Sequence, residues 1–268
     1  MSTTEVKEFT NVNLKIEDRV GIVYIANPPA NALNSDTING LSDCIDYLDR
    51  KVSGVKVIII TGEGRFFVPG ADIKEFKTAI GDVEIGEVMA KKAQALFNKI
   101  EQLEKPVIAV INGACLGGGM ELAMSCHMRL AAEDAVMGQP ELNLGLIPGF
   151  GGTQRLPRLT NTAKALELIL TSEFIKGKEA ENIGLVNRSY PYKELMKEAI
   201  KLANKIANEK SAISIAATLK AVNTGIKKDL YEGLELEARL FGEMFGTKDM
   251  EEGVLAFVEK RKANFIDQ

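Results

Sequence analysis

The sequence predicts an α/β body followed by a helical C-terminal quarter. Runs rich in β-branched residues alternate with segments whose apolar residues recur at helical spacing, a pattern typical of β-α-β chains. From Tyr192 onward the strand signals fade, whereas helical periodicity continues. The chain has 268 residues, of which 46% are hydrophobic, so it is long and apolar enough to bury one large core.

The first part of the chain predicts paired strands, a helix and a buried strand. Val12, Leu14 and Ile16 alternate with polar residues, which is the period of a half-buried strand. Pro28 and Pro29 stop the apolar run that follows. The expected elements are two paired strands within Val12–Asn27, a helix from Asn34 or Ser35 to about Arg50, and a strand covered on both faces at Val55–Thr61.

The rest of the chain predicts one more strand-turn-helix unit and then helices. A loop with four glycines is expected at 145–152, followed by a helix that Thr160 or Asn161 caps and that continues to about Leu170. The other expected elements are a helix at Gly86–Leu103, a strand at Val107–Ile111, and helices at Tyr192–Asn208, Ile213–Thr224, Leu230–Phe245 and Met250–Asn264.

Charge and hydropathy exclude two classes of partner. There are 33 Lys and Arg against 37 Asp and Glu, so the net charge is −4 and the attraction that drives nucleic-acid binding is missing. The most apolar long stretch, Val107 to Met124, is broken by Asn112, a glycine cluster and Glu121, so we expect no membrane contact. Neither a signal peptide nor a transit peptide is evident at the N-terminal segment.

Cysteine and histidine usage argues against a metal site and for a reducing compartment. Cys44, Cys115 and Cys126 are too few and too scattered for a disulfide framework, and with a single histidine they make no plausible zinc site. We therefore expect no metal and a cytoplasmic location. That histidine, His127, stands between apolar runs, so a structural role is favoured over a catalytic one.

Three glycine-rich segments, at 64–73, 112–121 and 145–152, each follow a strand-like run. In open α/β folds, ligands bind beyond the carboxyl ends of the strands. The N–H groups of Gly118 and Gly119 stand at the start of a predicted helix, where they could stabilise an oxyanion. No P-loop is present, and Leu122 stands where the dinucleotide fingerprint needs Gly or Ala. Because such segments also form simple tight turns, they do not define a site alone.

Two glutamates are the candidate catalytic groups. Glu121 lies on an otherwise apolar helix directly after the glycine cluster, and a carboxylate is rarely buried there without a purpose or a partner. Glu141 follows Pro140 in a turn that leads into the third glycine-rich segment. Their spacing leaves open whether they meet in space. If they meet, their repulsion raises one pKa and provides an acid and a base together.

Four segments together resemble the crotonase superfamily, and within it the enoyl-CoA hydratase/isomerase family, most closely enoyl-CoA hydratase. They occur in the order and spacing of the family, and the resemblance spans nearly the whole chain. The segments are FVPGADIK at 67–74, NGACLGGGMELA at 112–123, GQPE at 138–141 and IPGFGGTQRL at 147–156.

The resemblance implies the crotonase fold, an α/β spiral of β-β-α repeats followed by a C-terminal helical region used for trimerisation. On this basis, residues 1–200 are expected to form the spiral core with the acyl-CoA site, and residues 201–268 the helical region. It also implies a homotrimer, or a homohexamer built from two trimers.

The resemblance also assigns roles to individual residues. Glu121 and Glu141 match the catalytic glutamates, the backbone amides of Ala71 and Gly118 match the oxyanion hole, and Gly149 matches the glycine that helps to position water. The residues that match the CoA-binding positions are Ala30, Ala32, Leu33, Pro69, Asp72, Ile73 and Lys74.

The implied activity is the reversible addition of water across the 2,3 double bond of a 2-enoyl-CoA, in fatty-acid or branched-chain acyl-CoA breakdown. Coenzyme A is part of the substrate, and no other cofactor is expected. Enoyl-CoA isomerases usually keep one glutamate, so the presence of both favours hydration. Isomerase and methylglutaconyl-CoA hydratase activity remain alternatives, whereas an RNA-binding hydratase homologue is disfavoured by the net charge of −4.

Overall fold

The computed structural model describes residues 4–50 and 54–268, which form ten strands and eleven α-helices within those ranges. The strands are β1 (Thr4–Phe9), β2 (Val12–Glu17), β3 (Val20–Ile25), β4 (Val57–Gly62), β5 (Val107–Ile111), β6 (Cys115–Leu116), β7 (Met128–Ala132), β8 (Val136–Gly138), β9 (Ile175–Lys176) and β10 (Arg188–Tyr190). The helices are α1 (Ser35–Asp49), α2 (Ile73–Thr78), α3 (Val83–Gln102), α4 (Gly118–Ser125), α5 (Gly152–Leu159), α6 (Thr162–Thr171), α7 (Gly177–Asn182), α8 (Tyr192–Glu209), α9 (Ala212–Gly225), α10 (Leu230–Met244) and α11 (Lys248–Val258). A 3₁₀ turn occupies Glu141–Leu144.

The main sheet has seven strands in the order β1-β2-β3-β4-β5-β7-β10. The first three strands form an antiparallel meander, and each later neighbour pairs in parallel. β4 is buried at all six positions, as its β-branched sequence predicts for a strand covered on both faces. Helix α8 packs across β3, β4, β5, β7 and β10.

A second, three-stranded sheet, β6-β8-β9, lies beside the glycine-rich segments. Cys115 and Leu116 of β6 pair in parallel with Met137 and Gly138 of β8. Since α4 begins directly after β6 and the 3₁₀ turn follows β8 by two residues, this pairing places both glutamate-bearing segments at the ends of neighbouring strands.

Helix capping follows the sequence closely in several places. The Asn34 side chain accepts a hydrogen bond from Thr37 N at the start of α1, and Asn161 caps α6 by accepting from Lys164 N. The apolar positions Ile38, Leu41, Ile45 and Leu48 of α1 are all buried, which confirms their predicted helical face. The resulting core is one contiguous cluster formed by both sheets and the helices around them.

Within the described residues, the structure adds nine elements that the sequence did not predict, and it moves several boundaries; the added elements are β1, β6, β7, β8, β9, β10, α2, α5 and α7. Strand β1 is exposed along most of its length, so no apolar alternation marked it. Helices α2 and α5 stand in segments with strong turn signals, and α5 contains Pro157. Helix α3 begins at Val83 rather than Gly86 because Asp82 caps it, and the last helix ends at Val258, six residues before the predicted end. The expected domain boundary at residue 200 falls inside α8, which packs on the main sheet.

The C-terminal residues fold back onto the body through two aspartates, which we call the C-terminal clamp. Asp249 is buried and accepts backbone hydrogen bonds from Ile266 N at 2.8 Å and Asp267 N at 3.0 Å. Asp267 accepts from Ala212 N at 2.8 Å and from Lys56 Nζ at 2.9 Å, and it also pairs with Arg19. The clamp therefore ties the C-terminal residues to the start of α11, to the start of α9 and to the residues just before β3 and β4.

No helix in the described ranges combines the length and apolar character needed to cross a lipid bilayer. The thiols of Cys44, Cys115 and Cys126 are free and buried, and burial raises the pKa of each.

Candidate active site

Two backbone bridges bring the first two predicted ligand loops together. Leu33 pairs in parallel with Ala71, through Leu33 N to Gly70 O and Asp72 N to Leu33 O, both at 2.9 Å. Val68 pairs in the same way with Cys115, the first residue of β6. The loops before α1, α2 and α4 therefore converge on one end of the main sheet.

The amides of Ala71 and Gly118 lie at this convergence. Within the described residues, neither N–H donates to a protein acceptor. An unpaired backbone donor in a folded core is costly, so two of them beside one another in the loop arrangement indicate a place for an external acceptor. Gly118 is the first residue of α4, where the helix dipole adds to the positive potential.

Glu121 lies one turn into α4 and is almost completely buried, with 1% of its surface exposed. Its Oε1 accepts two backbone hydrogen bonds, from Phe150 N at 2.8 Å and from Gly152 N at 2.7 Å. Those amides belong to the third glycine-rich segment. The carboxyl group is thus fixed by one oxygen, which leaves the second oxygen available for chemistry.

Glu141 begins the 3₁₀ turn that follows β8. The buried amide of Gln139, oriented so that its nitrogen faces Glu141, donates at 3.0 Å to Oε1 and at 3.1 Å to Oε2. A Cβ built on Gly152 would lie 3.0 Å from that amide and 3.0 Å from Glu121 Oε1. The Gln139 amide therefore lies beside both carboxyl groups.

Gly117 is required next to Glu141. Its φ of +50° is in the region that favours glycine, and an added Cβ would stand 2.9 Å from Glu141 Oε1. The residue before the oxyanion candidate Gly118 thus leaves space for the second carboxyl group.

Both carboxyl groups favour the protonated form more than an exposed glutamate does. Burial is the main cause that raises the pKa of Glu121 to about 7; the Gly152 amide acts against it and the charge of Glu141 adds to it. Burial also raises the pKa of Glu141 to about 6. Because the charge of Glu141 acts on Glu121, the protonation of one group affects the other, and both bind a proton at higher pH than an exposed glutamate does.

Gly149 and Phe150 complete the wall around Glu121. The carbonyl of Gly149 accepts from Gln94 Nε2 of α3 at 2.7 Å, which anchors the loop before α5. The Phe150 ring packs edge-on against Phe97 at 6.3 Å between centroids and lies over Gly118. The site therefore lies in a corner formed by α3, α4 and the loop before α5, and we call this region the corner.

The predicted CoA-binding residues form two adjoining loops. Ala30 and Ala32 are half-buried, and Leu33 is buried. Across the Leu33–Ala71 bridge stand Pro69 and Asp72, which are half-buried, and then Ile73 and Lys74, which are exposed at the start of α2. The Asp72 carboxylate caps α2 by accepting from Lys74 N at 2.9 Å. The structure thus brings the seven residues together beside Ala71, with Leu33 beneath the surface.

His127 lies outside the corner. Its Nδ1 accepts from Val107 N at 2.9 Å, so the proton stands on Nε2, which donates to Glu101 O at 3.2 Å. Burial lowers the pKa of the imidazole, and the ring joins the start of β5 to the end of α3. These contacts support the structural role expected from the sequence.

Three contributors to the site had no role in the sequence expectations: Gln139, the amides of Phe150 and Gly152, and Arg155. Gln139 lies in the segment GQPE at 138–141, and its position two residues before Glu141 was a usable signal. The amides of Phe150 and Gly152 were not identified because α5, which begins at Gly152, was not predicted, whereas a predicted helix start marked Gly118 and Gly119. Arg155 is paired with Glu101, 54 residues away in sequence, so its partner was not apparent.

The fold and the corner together define a class of protein: an α/β enzyme that has two carboxyl groups of raised pKa and two unpaired backbone amides on converging loops. Comparison with known proteins agrees. Residues 15–268 match the family described as enoyl-CoA hydratase/isomerase. The chain belongs to this family.

Relatives cover nearly the full length. A probable enoyl-CoA hydratase of Bacillus subtilis is 51% identical over 256 residues, which cover 95% of this chain and 98% of that protein. A crotonyl-CoA hydratase of Syntrophomonas wolfei is 44% identical, covering 97% and 99%. The crystal structure of an enoyl-CoA hydratase from Bacillus anthracis superposes with a TM-score of 0.90 at 36% identity, covering 96% of this chain and 100% of that one. The predicted α/β crotonase fold is thereby confirmed.

Proposed function

We propose that this chain is an enoyl-CoA hydratase, a lyase that adds water reversibly across the 2,3 double bond of a 2-enoyl-CoA to give 3-hydroxyacyl-CoA. The observation that carries the proposal is the pair of buried Glu121 and half-buried Glu141, both with raised pKa values, together with the unpaired amides of Ala71 and Gly118. The names of the relatives, which include a crotonyl-CoA hydratase, support the same substrate class.

In this proposal the two amides bind the thioester oxygen. Attack of water at C3 moves charge onto that oxygen as an enolate forms. Fixed N–H donors stabilise this charge more in the transition state than in the ground state, an effect of several kcal/mol for oxyanion holes of this kind. Gly118 supplies one donor at the positive end of α4, and Ala71 supplies the other.

The carboxyl groups then carry the protons. Glu121, ionised and held through Oε1, takes a proton from the attacking water with its other oxygen, and the backbone of Gly149 helps to position that water. Glu141, protonated, delivers a proton to C2. In the free site the higher pKa of Glu121 favours the proton there, so this assignment requires that proton to pass to Glu141 when substrate and water bind. Residues 30–33 and 69–74 hold the CoA part of the substrate, and no metal or redox group takes part.

The test is the loss of conjugated-thioester absorbance when purified protein meets crotonyl-CoA in water. Wild type should remove the absorbance, and Glu141→Gln should lower kcat by about 10²–10⁴-fold with little change in crotonyl-CoA affinity. Glu194→Gln, on the exposed face of α8, is the control with the same chemical change. A Glu141→Gln protein with wild-type turnover would refute the assignment, and a shifted double bond without hydrated product would favour isomerase activity.

We also propose that the chain assembles as a homotrimer, or a homohexamer of two trimers, through its C-terminal helices. Large apolar side chains are unusually exposed there: Ile226 at 81%, Tyr231 at 82% and Phe257 at 86%. Light scattering of wild type against Phe257→Ser tests this, since a monomeric wild type would contradict it. A cytoplasmic location also remains a prediction, supported by the three buried, unpaired thiols.

A further inference from the structure

Behind the loop that holds Glu121 lies a polar cluster that the proposed mechanism does not use. Its centre is the side chain of Arg155 on α5, 13% exposed, which pairs with Glu101 of α3. The guanidinium donates from Nε at 3.0 Å and from Nη2 at 2.8 Å to Glu101 Oε2, and Nη2 also donates to Asn98 Oδ1 at 2.7 Å. A guanidinium held at several points on one partner has little freedom to move.

The guanidinium is also in contact with the Glu121 loop. Gly151, between the two amides that bind Glu121, has a φ of +118°, and a Cβ built there would stand 2.3 Å from Arg155 Nη1. The same nitrogen lies 3.4 Å from the carbonyl oxygen of Phe150. Glu121 therefore holds one side of this turn and Arg155 packs against the other.

Glu101 extends the cluster to the C-terminal helices. Its second carboxylate oxygen accepts from Lys227 Nζ at 2.6 Å, and its backbone carbonyl accepts from Asn223 Nδ2 at 3.0 Å. Asn223 belongs to α9, and Lys227 follows its last turn. Burial raises the pKa of Glu101, but the hydrogen bonds from Lys227 and Arg155 outweigh that effect and lower it.

We propose that Arg155 and Glu101 are positioning residues for Glu121, acting through the turn at 150–152, and that Lys227 couples this pair to the C-terminal helices. The inference rests on the proposed hydratase function for its kinetic test. The charged groups that bear on Glu121 are Glu141 from the 3₁₀ turn and Arg155 from α5. Those that bear on Arg155 are Glu101 and, through Glu101, Lys227 and the neighbouring imidazole of His127.

The first arm of the experiment compares pH profiles of kcat/KM for crotonyl-CoA. Arg155→Met removes a positive charge that lowers the pKa of Glu121, so the acid limb should move to higher pH by half a unit or more, with kcat at least tenfold lower and KM within threefold. Arg155→Lys keeps the positive charge but loses the two-pronged guanidinium contact with Glu101. The acid limb of its pH profile should therefore stay near that of wild type, while kcat remains reduced. Glu101→Gln leaves Arg155 uncompensated, so its limb should move to lower pH or stay.

Lys227→Met should give a smaller fall in kcat than Arg155→Met, because it removes only the outer support of Glu101. Lys197→Met, from an exposed pair on α8 with Glu194, is the matched control and should behave as wild type. A uniform loss of activity at all pH values in Arg155→Met, with no displaced limb, would show that the cluster only maintains the fold and would overturn the proposal.

A second arm does not need turnover. The carboxyl stretching band of Glu121, assigned by its loss in Glu121→Gln, is followed by infrared difference spectroscopy as pH is raised. Its midpoint should lie higher in Arg155→Met than in wild type, and an unchanged midpoint would overturn the inference. If wild type fails to hydrate crotonyl-CoA but the midpoint still shifts, the function assignment fails while the positioning role stands.

Discussion

Two pairs of carboxylates have contrasting surroundings in this protein, and each pair combines a buried side chain, Asp249 or Glu121, with a half-buried one, Asp267 or Glu141. In the C-terminal clamp, Asp267 meets the cations of Lys56 and Arg19 and the Ala212 amide; burial acts against these contacts, which nevertheless lower its pKa. In the candidate active site, neither Glu121 nor Glu141 forms an ion pair with a cation among the described residues, and burial raises both pKa values. The contacts of Asp267 therefore outweigh the cost of its burial, whereas the contacts of Glu121 and Glu141 do not.

The difference explains how the same side-chain chemistry serves two purposes. A carboxylate surrounded by donors and cations gains stability from its charge and has little reason to exchange a proton at neutral pH. A buried carboxyl group with one oxygen fixed and the other unpartnered is costly to ionise, and that cost keeps it in balance between acid and base. Function is therefore located where the polar groups are least satisfied.

The largest expected effect comes from replacing one carboxylate by its amide in the candidate active site and one in the C-terminal clamp. Glu121→Gln should lower kcat by about 10²–10⁴-fold, because the general base is lost, yet it should melt at a higher temperature at pH 8 because an unfavourable buried charge is gone. Asp267→Asn should keep kcat within twofold and lose about 1–3 kcal/mol, since Lys56 is 6% exposed and loses its countercharge. Both are measured by crotonyl-CoA hydration and by thermal melting at one protein concentration.

Either of two results would contradict this comparison of the clamp with the candidate active site. An Asp267→Asn protein that melts normally but does not turn over would place the clamp in the catalytic machinery. A Glu121→Gln protein that is less stable than wild type at pH 8 would show that the ionised carboxylate stabilises the fold, as Asp267 does.

The pH dependence of stability sharpens the same contrast. The pKa of Glu121 rises from 4.5 to about 7 on folding, so wild type loses stability as pH rises between those values, by up to about 3 kcal/mol, and then no further. The gain of Glu121→Gln over wild type should therefore grow from pH 5 to pH 7 and level off at pH 8. The pKa of Asp267 is lowered from 3.8, so its stabilisation is complete above about pH 5 and disappears only in acid.

Melting temperatures of the three proteins at pH 5, 6, 7 and 8 measure this directly. About 2–4 °C per kcal/mol is expected for a domain of this size. The Asp267→Asn deficit should be flat across the series. A Glu121→Gln gain that is also flat would contradict the raised pKa of Glu121.

How far the sequence predicted these regions follows from which interactions are local. Glu121 and Glu141 stood next to glycine and proline signals within their own segments, and the caps Asn34 and Asn161 lay directly before their helices. The clamp was not predicted, because Asp267 and Lys56 are 211 residues apart and neither lies in a periodic pattern. The pairing of Arg155 with Glu101 was missed for the same reason. Strand β1 was missed because an exposed strand has no apolar alternation.

The smallest expected effect tests whether Glu141 needs the space that Gly117 leaves beside its carboxyl group. Gly117→Ala should lower kcat/KM by about 3–30-fold and stability by about 1–2 kcal/mol, because a methyl group 2.9 Å from Glu141 Oε1 must displace that carboxyl group and because φ of +50° strains alanine. Gly184→Ala is the control, since its φ of +78° imposes similar strain far from the site, with only Leu159 O nearby at 3.7 Å.

Steady-state kinetics and melting of both variants separate the steric cause from the backbone strain. Equal losses of kcat/KM in both would mean that backbone strain alone accounts for the effect. A loss confined to Gly117→Ala would mean that Glu141 acts only from its observed position, which is expected of a proton donor directed at one carbon atom.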